Sequence, residues 1–186
     1  MGGLAEKISA LFPEKIKSFH SKLGDETVVV ERGALLELMR QFKGNPELCF
    51  DQVTDITATD YIGKKLTRFE VVYHLYSYTH HRRLRVKVEL DESDPSVDSV
   101  TLVWKGADWA EREVWDLYGI TFKGHPGLRR ILMYPEFIGH PLRKDYPIDG
   151  RRPLVEELPV VDPGCDSVSA GKMDRSCLKG NTRRIT

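Results

Sequence analysis

The strongest constraint on the fold of this chain is a clean alternation of charged and apolar residues over positions 82–90, broken only by the two arginines at its start. Its apolar members are Leu84, Val86, Val88 and Leu90. Residues 67–79 alternate less cleanly, with apolar side chains at Phe69, Val71, Tyr73 and Leu75. A period of two is typical of a strand that packs one face on a core and leaves the other in solvent. The two runs, joined around Thr79-His80-His81, predict an antiparallel β-hairpin.

Weaker patterns surround this hairpin. Short strands are predicted at 28–30, 48–61 and 100–104. Helical spacing predicts two short helical pieces on either side of Pro13 and one longer helix, over 4–11, 16–19 and 33–43. These elements predict an α+β fold, with an antiparallel or mixed sheet of about four strands and helices on one face.

One further helix is specified at both of its ends. Residues 109–118 carry an apolar stripe at helical spacing, and Gly119 follows where a helix commonly ends in a left-handed residue. Asp108 and Glu111 have the spacing of a capping box at the start. We therefore expect a helix from about Trp109 to Tyr118.

The length of 186 residues fits one domain of about 150 residues and a short extension. We expect a domain over 1–150 and an extended C-terminal arm over 151–186, where prolines and glycines interrupt a polar sequence. No apolar run suggests a membrane span, and the first residues predict neither a secretion signal nor a myristoylation site. Three widely spaced cysteines do not predict a disulfide framework, which favours the cytoplasm.

Charge is segregated along the chain, although its 28 cationic and 28 acidic residues balance. An acidic block over 108–116 holds Asp108, Glu111, Glu113 and Asp116. A basic block over 120–152 holds Lys123, Arg129, Arg130, Arg143, Lys144, Arg151 and Arg152. Within it Gly-His-Pro occurs twice, at 124–126 and 139–141. Because proline fixes φ and restricts the residue before it, the cations after each copy follow a rigid turn.

These two blocks together carry a family resemblance. Residues 107–147 contain Glu-Arg-Glu-x-x-Asp-x-x-Gly-Ile, Gly-His-Pro-x-Leu-Arg-Arg-Ile-Leu and Gly-His-Pro-Leu-Arg-Lys-Asp-Tyr-Pro. This segment closely resembles the C subunit of the bacterial NADH:quinone oxidoreductase, respiratory complex I. It is also similar to the corresponding parts of the chloroplast relative and of membrane-bound hydrogenases.

The resemblance implies a hydrophilic subunit of the peripheral arm, on the cytoplasmic face of the inner membrane. Such a subunit supports electron transfer from NADH through iron–sulfur centres to quinone. It implies no cofactor in this chain, because FMN, the iron–sulfur clusters and the quinone are bound by partner subunits. The implied partners are other peripheral-arm subunits, especially the quinone-pocket subunit and the terminal-cluster subunit, so that membrane association is indirect.

The motif itself is the expected partner interface, since rigid turns that present arginines suit bidentate pairing with carboxylates of a neighbouring protein. The residues assigned to this interface are Glu111, Arg112, Glu113, Asp116, His125, Pro126, Arg129, Arg130, His140, Pro141, Arg143, Lys144, Asp145 and Tyr146. No catalytic, cofactor-binding or metal-binding residue is expected in the chain.

The sequence also contains residues that could form a catalytic site or a metal site. Glu111, Glu113 and His125 could serve as acid, base and electrophile, but the two glutamates lie two apart on a helix and point in different directions. The candidate metal ligands, in pairs without an established ligand spacing, are His80 and His81, His125 and His140, and Cys165 and Cys177.

Two alternatives concern binding. The basic block could hold phosphate or RNA, with Tyr134, Phe137 and Tyr146 as stacking platforms, although a chain of zero net charge lacks the basicity usual in such proteins. Within the same class as the leading interpretation, the alternative is the equivalent subunit of an energy-converting hydrogenase.

Overall fold

The predicted hairpin lies at the centre of a five-stranded sheet in the computed structural model, which describes residues 3–147 and residue 149. The helices are α1 (Leu4–Leu11), α2 (Leu35–Gly44) and α3 (Ala107–Tyr118), with a short 3-10 helix (Arg32–Ala34) before α2. The strands are β1 (Ile16–Lys22), β2 (Asp25–Val30), β3 (Gln52–Asp60), β4 (Phe69–Ser77), β5 (Arg82–Leu90), β6 (Ser96–Asp98) and β7 (Thr121–Lys123). The α+β class is confirmed, and the main sheet has five strands where about four were predicted.

The main sheet is mixed, with the strand order β1-β2-β5-β4-β3. β4 and β5 pair antiparallel, so that Tyr73 lies opposite Val86, and β3 extends the antiparallel pattern beyond β4. β2 joins β5 in parallel, with Val28 opposite Val86. A parallel neighbour needs a long connection, and here α2, β3 and β4 lie between the two strands in sequence. β6 and β7 form a separate parallel pair.

One face of the main sheet packs against the helices to form the core. Its buried apolar side chains include Val28, Val30, Phe69, Val71, Tyr73, Leu75, Leu84, Val86, Val88 and Leu90. α2 contributes the predicted stripe of Leu35, Leu38, Met39 and Phe42, all of them buried. Because burying one such side chain stabilises a fold by about 1.5–3 kcal/mol, this layer supplies much of the driving force for folding.

The helical prediction for residues 16–19 is wrong, because these residues begin β1. Leu23 and Gly24 both have positive φ, 56° and 84°, and they join β1 to β2 in a two-residue turn that places Lys22 opposite Asp25. Turns with two positive φ angles match the twist of a hairpin. Ile16 is buried while Phe19 is 46% exposed, so the apolar spacing seen in the sequence does not form one buried stripe.

The predicted strand at residues 100–104 is also wrong. The N–H groups of Val103 and Trp104 both donate to the carbonyl of Val100, which makes this stretch a turn. Val100, Val103 and Trp104 are buried, whereas Leu102 is exposed. The buried positions thus follow the spacing of a helical turn and not an alternation. The strand nearby is β6, which pairs with β7.

Residues 1–147 group as one compact unit. The arm predicted over 151–186 lies outside the described residues. Within the part of the chain that the structure describes, none of the helices has the length and apolar character needed to cross a bilayer.

Candidate partner interface

α3 carries the acidic half of the motif and packs against β3. Its buried residues are Ala107, Glu111, Val114 and Asp116. The helix begins after Gly106 without a side-chain cap, so the capping box predicted for Asp108 and Glu111 is wrong. Two of the four buried side chains are carboxylates, and carboxylates are rarely buried without partners. The partners of Glu111 and Asp116 therefore explain how the motif folds.

Glu111 is fully buried and binds the turn that precedes α3. One of its carboxylate oxygens accepts a hydrogen bond from the Ser99 hydroxyl at 2.6 Å, and the other accepts from the Val100 N–H at 2.7 Å. Burial raises the pKa of Glu111 to about 7, although both hydrogen bonds oppose the rise. Although the motif assigns Glu111 to the partner interface, its carboxyl group faces the interior and holds the turn at Val100.

Asp116 is also fully buried, and it organises the chain that follows β7. Its Oδ2 accepts hydrogen bonds from three consecutive N–H groups, those of Ile131, Leu132 and Met133, at 3.0, 2.9 and 2.9 Å. Its Oδ1 accepts from Arg130 Nη1 at 2.6 Å. Burial alone would raise the pKa of Asp116, but the N–H groups and Arg130 outweigh it and hold the pKa below its usual value.

Arg130 extends this anchor across the loop. Its Nη2 donates to the carbonyl oxygens of Phe137 and Gly139 at 2.7 and 3.2 Å, and its guanidinium lies over the rings of Trp115 and Phe137. Arg112, on α3, donates to the carbonyl oxygens of residues 129 and 130. Arg130 is therefore used within the chain, and it is not a cation held outward for a neighbour.

The first Gly-His-Pro corner is attached to the start of α3. His125 Nε2 lies 3.0 Å from Asp108 Oδ1, and His125 Nδ1 accepts a hydrogen bond from the Gly127 N–H at 3.0 Å. Because Nδ1 accepts, the proton of the neutral ring lies on Nε2, which donates to Asp108. The His125 side chain is completely buried by these contacts.

The second corner closes the end of α3. The last four carbonyl groups of a helix lack partners within the helix. Here they accept from Gly119 N–H, His140 Nδ1, Leu142 N–H and Arg143 Nε, taken in order from residue 115 to residue 118. Every one of these carbonyls is thus satisfied, three of them by the corner. The pKa of His140 is lowered by burial, which the bond to the residue 116 carbonyl opposes.

Gly119 is required at this position for two reasons. Its φ is 73°, in the left-handed region that favours glycine, as predicted for the helix end. A Cβ at Gly119 would also lie only 2.5 Å from ring atoms of His140 and 2.7 Å from Arg143 Nη2. The second corner can approach the helix this closely only because position 119 has no side chain.

Arg68 attaches the end of the motif to the main sheet, and sequence reasoning missed it. This nearly buried side chain pairs with both carboxylate oxygens of Asp60, with Asp145 Oδ1 at 2.7 Å, and with Glu92. The Lys144 N–H donates to Asp60 Oδ2 at 2.9 Å. The only signal in the sequence is an arginine directly before an apolar strand, which does not reveal its partners.

The motif therefore turns only part of its surface outward. Of the assigned interface residues, the exposed ones are Glu113, Pro126, Arg129, Lys144 and Asp145. The partly buried ones are Arg112, Arg130, His140, Pro141, Arg143, Tyr146 and His125, whose backbone is accessible although its side chain is buried. Sequence reasoning also missed three large exposed apolar side chains in the part of the motif that follows β7, Leu132, Ile138 and Leu142. Contact with a partner stays a prediction for all of these residues.

The structure separates the residues considered for other sites. Glu111 binds Ser99, His125 binds Asp108, and Glu113 is exposed, so the three have different neighbours. Among residues 3–147 and 149, no group of three or more His, Cys, Asp or Glu side chains could hold a metal ion. Cys165 and Cys177 lie outside the described residues.

The same α+β fold occurs in a chain of a solved membrane complex. A chain of the membrane-bound sulfane sulfur reductase, an archaeal respiratory membrane complex, superposes with a TM-score of 0.64 over 78% of this chain and 84% of that one. At 24% identity this similarity is one of fold alone.

The chain belongs to the family of the respiratory-chain NADH dehydrogenase 30 kDa subunit, whose sequence model matches residues 28–152. The C subunit of NADH-quinone oxidoreductase from Geobacter metallireducens is 48% identical over 147 residues, which cover 79% of this chain and 87% of the relative. Its counterpart in a Roseiflexus species is 43% identical over 143 residues, covering 77% and 82%. The solved structure of the trypsin-resistant fragment 1–134 of Nqo5 is 34% identical, covers 66% of this chain and 95% of that one, and has a TM-score of 0.58. The resemblance inferred from residues 107–147 is confirmed.

Proposed function

We propose that this chain is a structural subunit of the peripheral arm of a proton-translocating NADH:quinone oxidoreductase, on the cytoplasmic face of the inner membrane. The observation that carries the proposal is the attachment of residues 120–147 to α3 and to the main sheet through Asp116, both corners and Arg68. A loop ordered by its own chain is preorganised, and it loses little conformational entropy when a partner binds. Membership of the 30 kDa subunit family supports the choice of complex.

In this proposal the chain supports electron transfer without taking part in it. FMN, the iron–sulfur clusters and the quinone are held by partner subunits, and the proposed neighbours are the quinone-pocket subunit and the terminal-cluster subunit. In support, the two buried carboxyl groups of the motif already have internal partners: Glu111 binds Ser99, and Asp116 binds Arg130. A general acid or base must reach its substrate, which a fully buried carboxyl group cannot do.

The relatives and the geometry disfavour the alternatives. The related proteins at 43% and 48% identity are NADH-quinone oxidoreductase subunits, not hydrogenase subunits. The rings considered as platforms for RNA bases pack on one another, with Phe137 centred 5.4 Å from Tyr134 and 6.0 Å from Tyr146. These rings stabilise the loop, which supports a structural role for them.

Affinity purification of the tagged full chain from its native membranes tests this proposal. We expect flavin-binding, iron–sulfur and quinone-pocket subunits to co-purify in stoichiometric amounts, with NADH:quinone activity in the purified material. Recovery of the chain alone or with nucleic acid would contradict the proposal. So would a redox centre that stays with the chain after its separation from all other subunits.

A further inference from the structure

Resting on the proposed function, we infer that the docking surface is an apolar ridge formed by Leu132, Ile138 and Leu142, bordered by the cations Arg129 and Lys144. The partner subunit then presents an apolar surface bordered by carboxylates. The arginines that are most prominent in the motif, Arg130 and Arg143, maintain the shape of this surface and are not its contacts.

The apolar ridge is exposed although its backbone is firmly held. Its side chains are 56%, 72% and 45% exposed at Leu132, Ile138 and Leu142. The N–H of Leu132 donates to Asp116, and the N–H of Leu142 donates to the carbonyl of residue 117. The carbonyls on either side of Ile138 both accept from Arg130. All three side chains are therefore carried by backbone anchored at the end of α3. Large apolar side chains exposed on one surface mark interaction sites, and the shared anchor at the end of α3 is the reason for assigning these three to one surface.

The cations of the two corners divide between inside and outside. Arg130 binds Asp116, and Arg143 donates to the last carbonyl of α3. Arg129 and Lys144 are exposed, and their side chains have no hydrogen-bond or ion-pair partner among residues 3–147 and 149. Interfaces commonly have an apolar centre and a charged rim, and the rim charges favour a partner of opposite sign. Two exposed carboxylates lie in the same segment, Glu136 and Asp145, but Asp145 is already paired with Arg68. The cations Arg129 and Lys144 therefore exceed the remaining carboxylate by one, and the complement of this rim is a partner surface that carries carboxylates.

Charge also argues against two other occupants of the apolar ridge. A second copy of the chain docked ridge to ridge would bring Arg129 and Lys144 into an interface with their own copies, where like charges repel. Residues 151–186 contain seven cations and five carboxylates, so this segment has the same sign as the rim. An acidic partner surface is the occupant that the charges favour.

The experiment introduces a charge on the apolar ridge and measures assembly and folding separately. Leu132→Asp and Ile138→Asp are expressed in place of the native chain, and the tagged protein is purified from native membranes. We expect each variant to lower the amount that co-purifies with the flavin, iron–sulfur and quinone-pocket subunits by roughly tenfold or more, as at interface hot spots. The melting temperature of the isolated full chain should not change.

Leu23→Asp is the matched control. Leu23 is fully exposed in the β1–β2 turn, at the edge of the sheet opposite to β3, on which α3 packs. Its left-handed backbone tolerates aspartate. This variant should assemble like the parent chain. The double variant Arg129→Gln with Lys144→Gln should assemble with a weaker dependence on salt than the parent, because rim charges act through screened attraction.

Each outcome decides one question. Failure of the parent chain to co-purify with the complex overturns the proposed function and this inference with it. Normal assembly of both aspartate variants overturns the inference and leaves the proposed function standing. A lower melting temperature for Leu132→Asp means that the chain covers the apolar ridge itself. A dimer of the isolated chain that both variants abolish means that a second copy binds there. Either of these last two results overturns the inference.

Discussion

Replacing Glu111 with glutamine removes the charge of this buried side chain and keeps its shape. The glutamine oxygen can accept from the Val100 N–H, and its amide can donate to Ser99. The Ser99 hydroxyl can then donate to Thr101 Oγ1, which lies 2.7 Å away. Because the hydrogen bonds are retained, the substitution isolates the effect of ionisation on stability.

The size of this effect on the free energy of unfolding follows from the pKa of Glu111, which burial raises from 4.5 to about 7. The folded chain holds this proton more tightly than the unfolded chain does. The stability from this group is therefore complete below pH 4.5 and is lost as the pH rises to about 7. At about 1.4 kcal/mol per pKa unit, the free energy of unfolding falls by about 2–3 kcal/mol between about pH 5 and about pH 8. Glutamine does not ionise, so the variant should not lose this free energy of unfolding, and its stability relative to the parent should rise by the same amount between the two pH values.

Denaturant unfolding of the full chain, followed by tryptophan fluorescence at both pH values, measures this difference. Glu113→Gln is the matched control on the same helix. Glu113 is exposed, so its substitution should change the free energy of unfolding by less than about 0.5 kcal/mol at either pH. If Glu111→Gln shows the same pH dependence as the parent chain, the argument from burial of Glu111 is wrong.

Three further substitutions test the anchors of the motif. Gly119→Ala should lower the free energy of unfolding by about 2 kcal/mol or more, because Gly119 has a positive φ and its Cβ would meet the second corner. The control Gly127→Ala, which has open space around it, should leave the melting temperature nearly unchanged. Arg68→Met should lower the free energy of unfolding by about 3 kcal/mol in denaturant unfolding, because Asp60 is left buried without its cation. An unchanged free energy of unfolding would contradict the role of this pair. Asp116 has a lowered pKa, so its stabilisation is present above its usual pKa and is lost as the pH falls through the folded value. In Asp116→Asn, the near-UV circular dichroism signal should accordingly depend less on pH below about pH 4 than it does in the parent chain. An unchanged acid transition would count against this anchor.

The parts of the fold predicted from the sequence are those specified by local patterns. The β4–β5 hairpin, α2 and the end of α3 at Gly119 follow from periodicity and from the conformational freedom of glycine. The start of β1, residues 16–19, has an apolar spacing that fits a helix as well as a strand, and the turn at Leu23 and Gly24 carries a weaker signal than Asn-Gly or Asp-Gly.

The site was less predictable, because its contacts join residues far apart in sequence. The pattern of charges indicated where the motif lies, but it could not show that Asp116 takes Arg130 inward while Arg129 stays outside. Arg68 and Asp145 are separated by 77 positions, and only the folded sheet brings them together. Alternation and capping rules describe neighbours along one element, so pairings of this kind are beyond them.

A photoreactive side chain at a single exposed position tests the central claim most directly. Benzoylphenylalanine in place of Ile138, irradiated in native membranes, should link the chain to another subunit of the NADH:quinone oxidoreductase, whereas the same group at position 23 should not. The absence of a link from position 138, or a link to a protein outside that complex, would contradict the claim that the surface around Ile138 docks the chain within the complex.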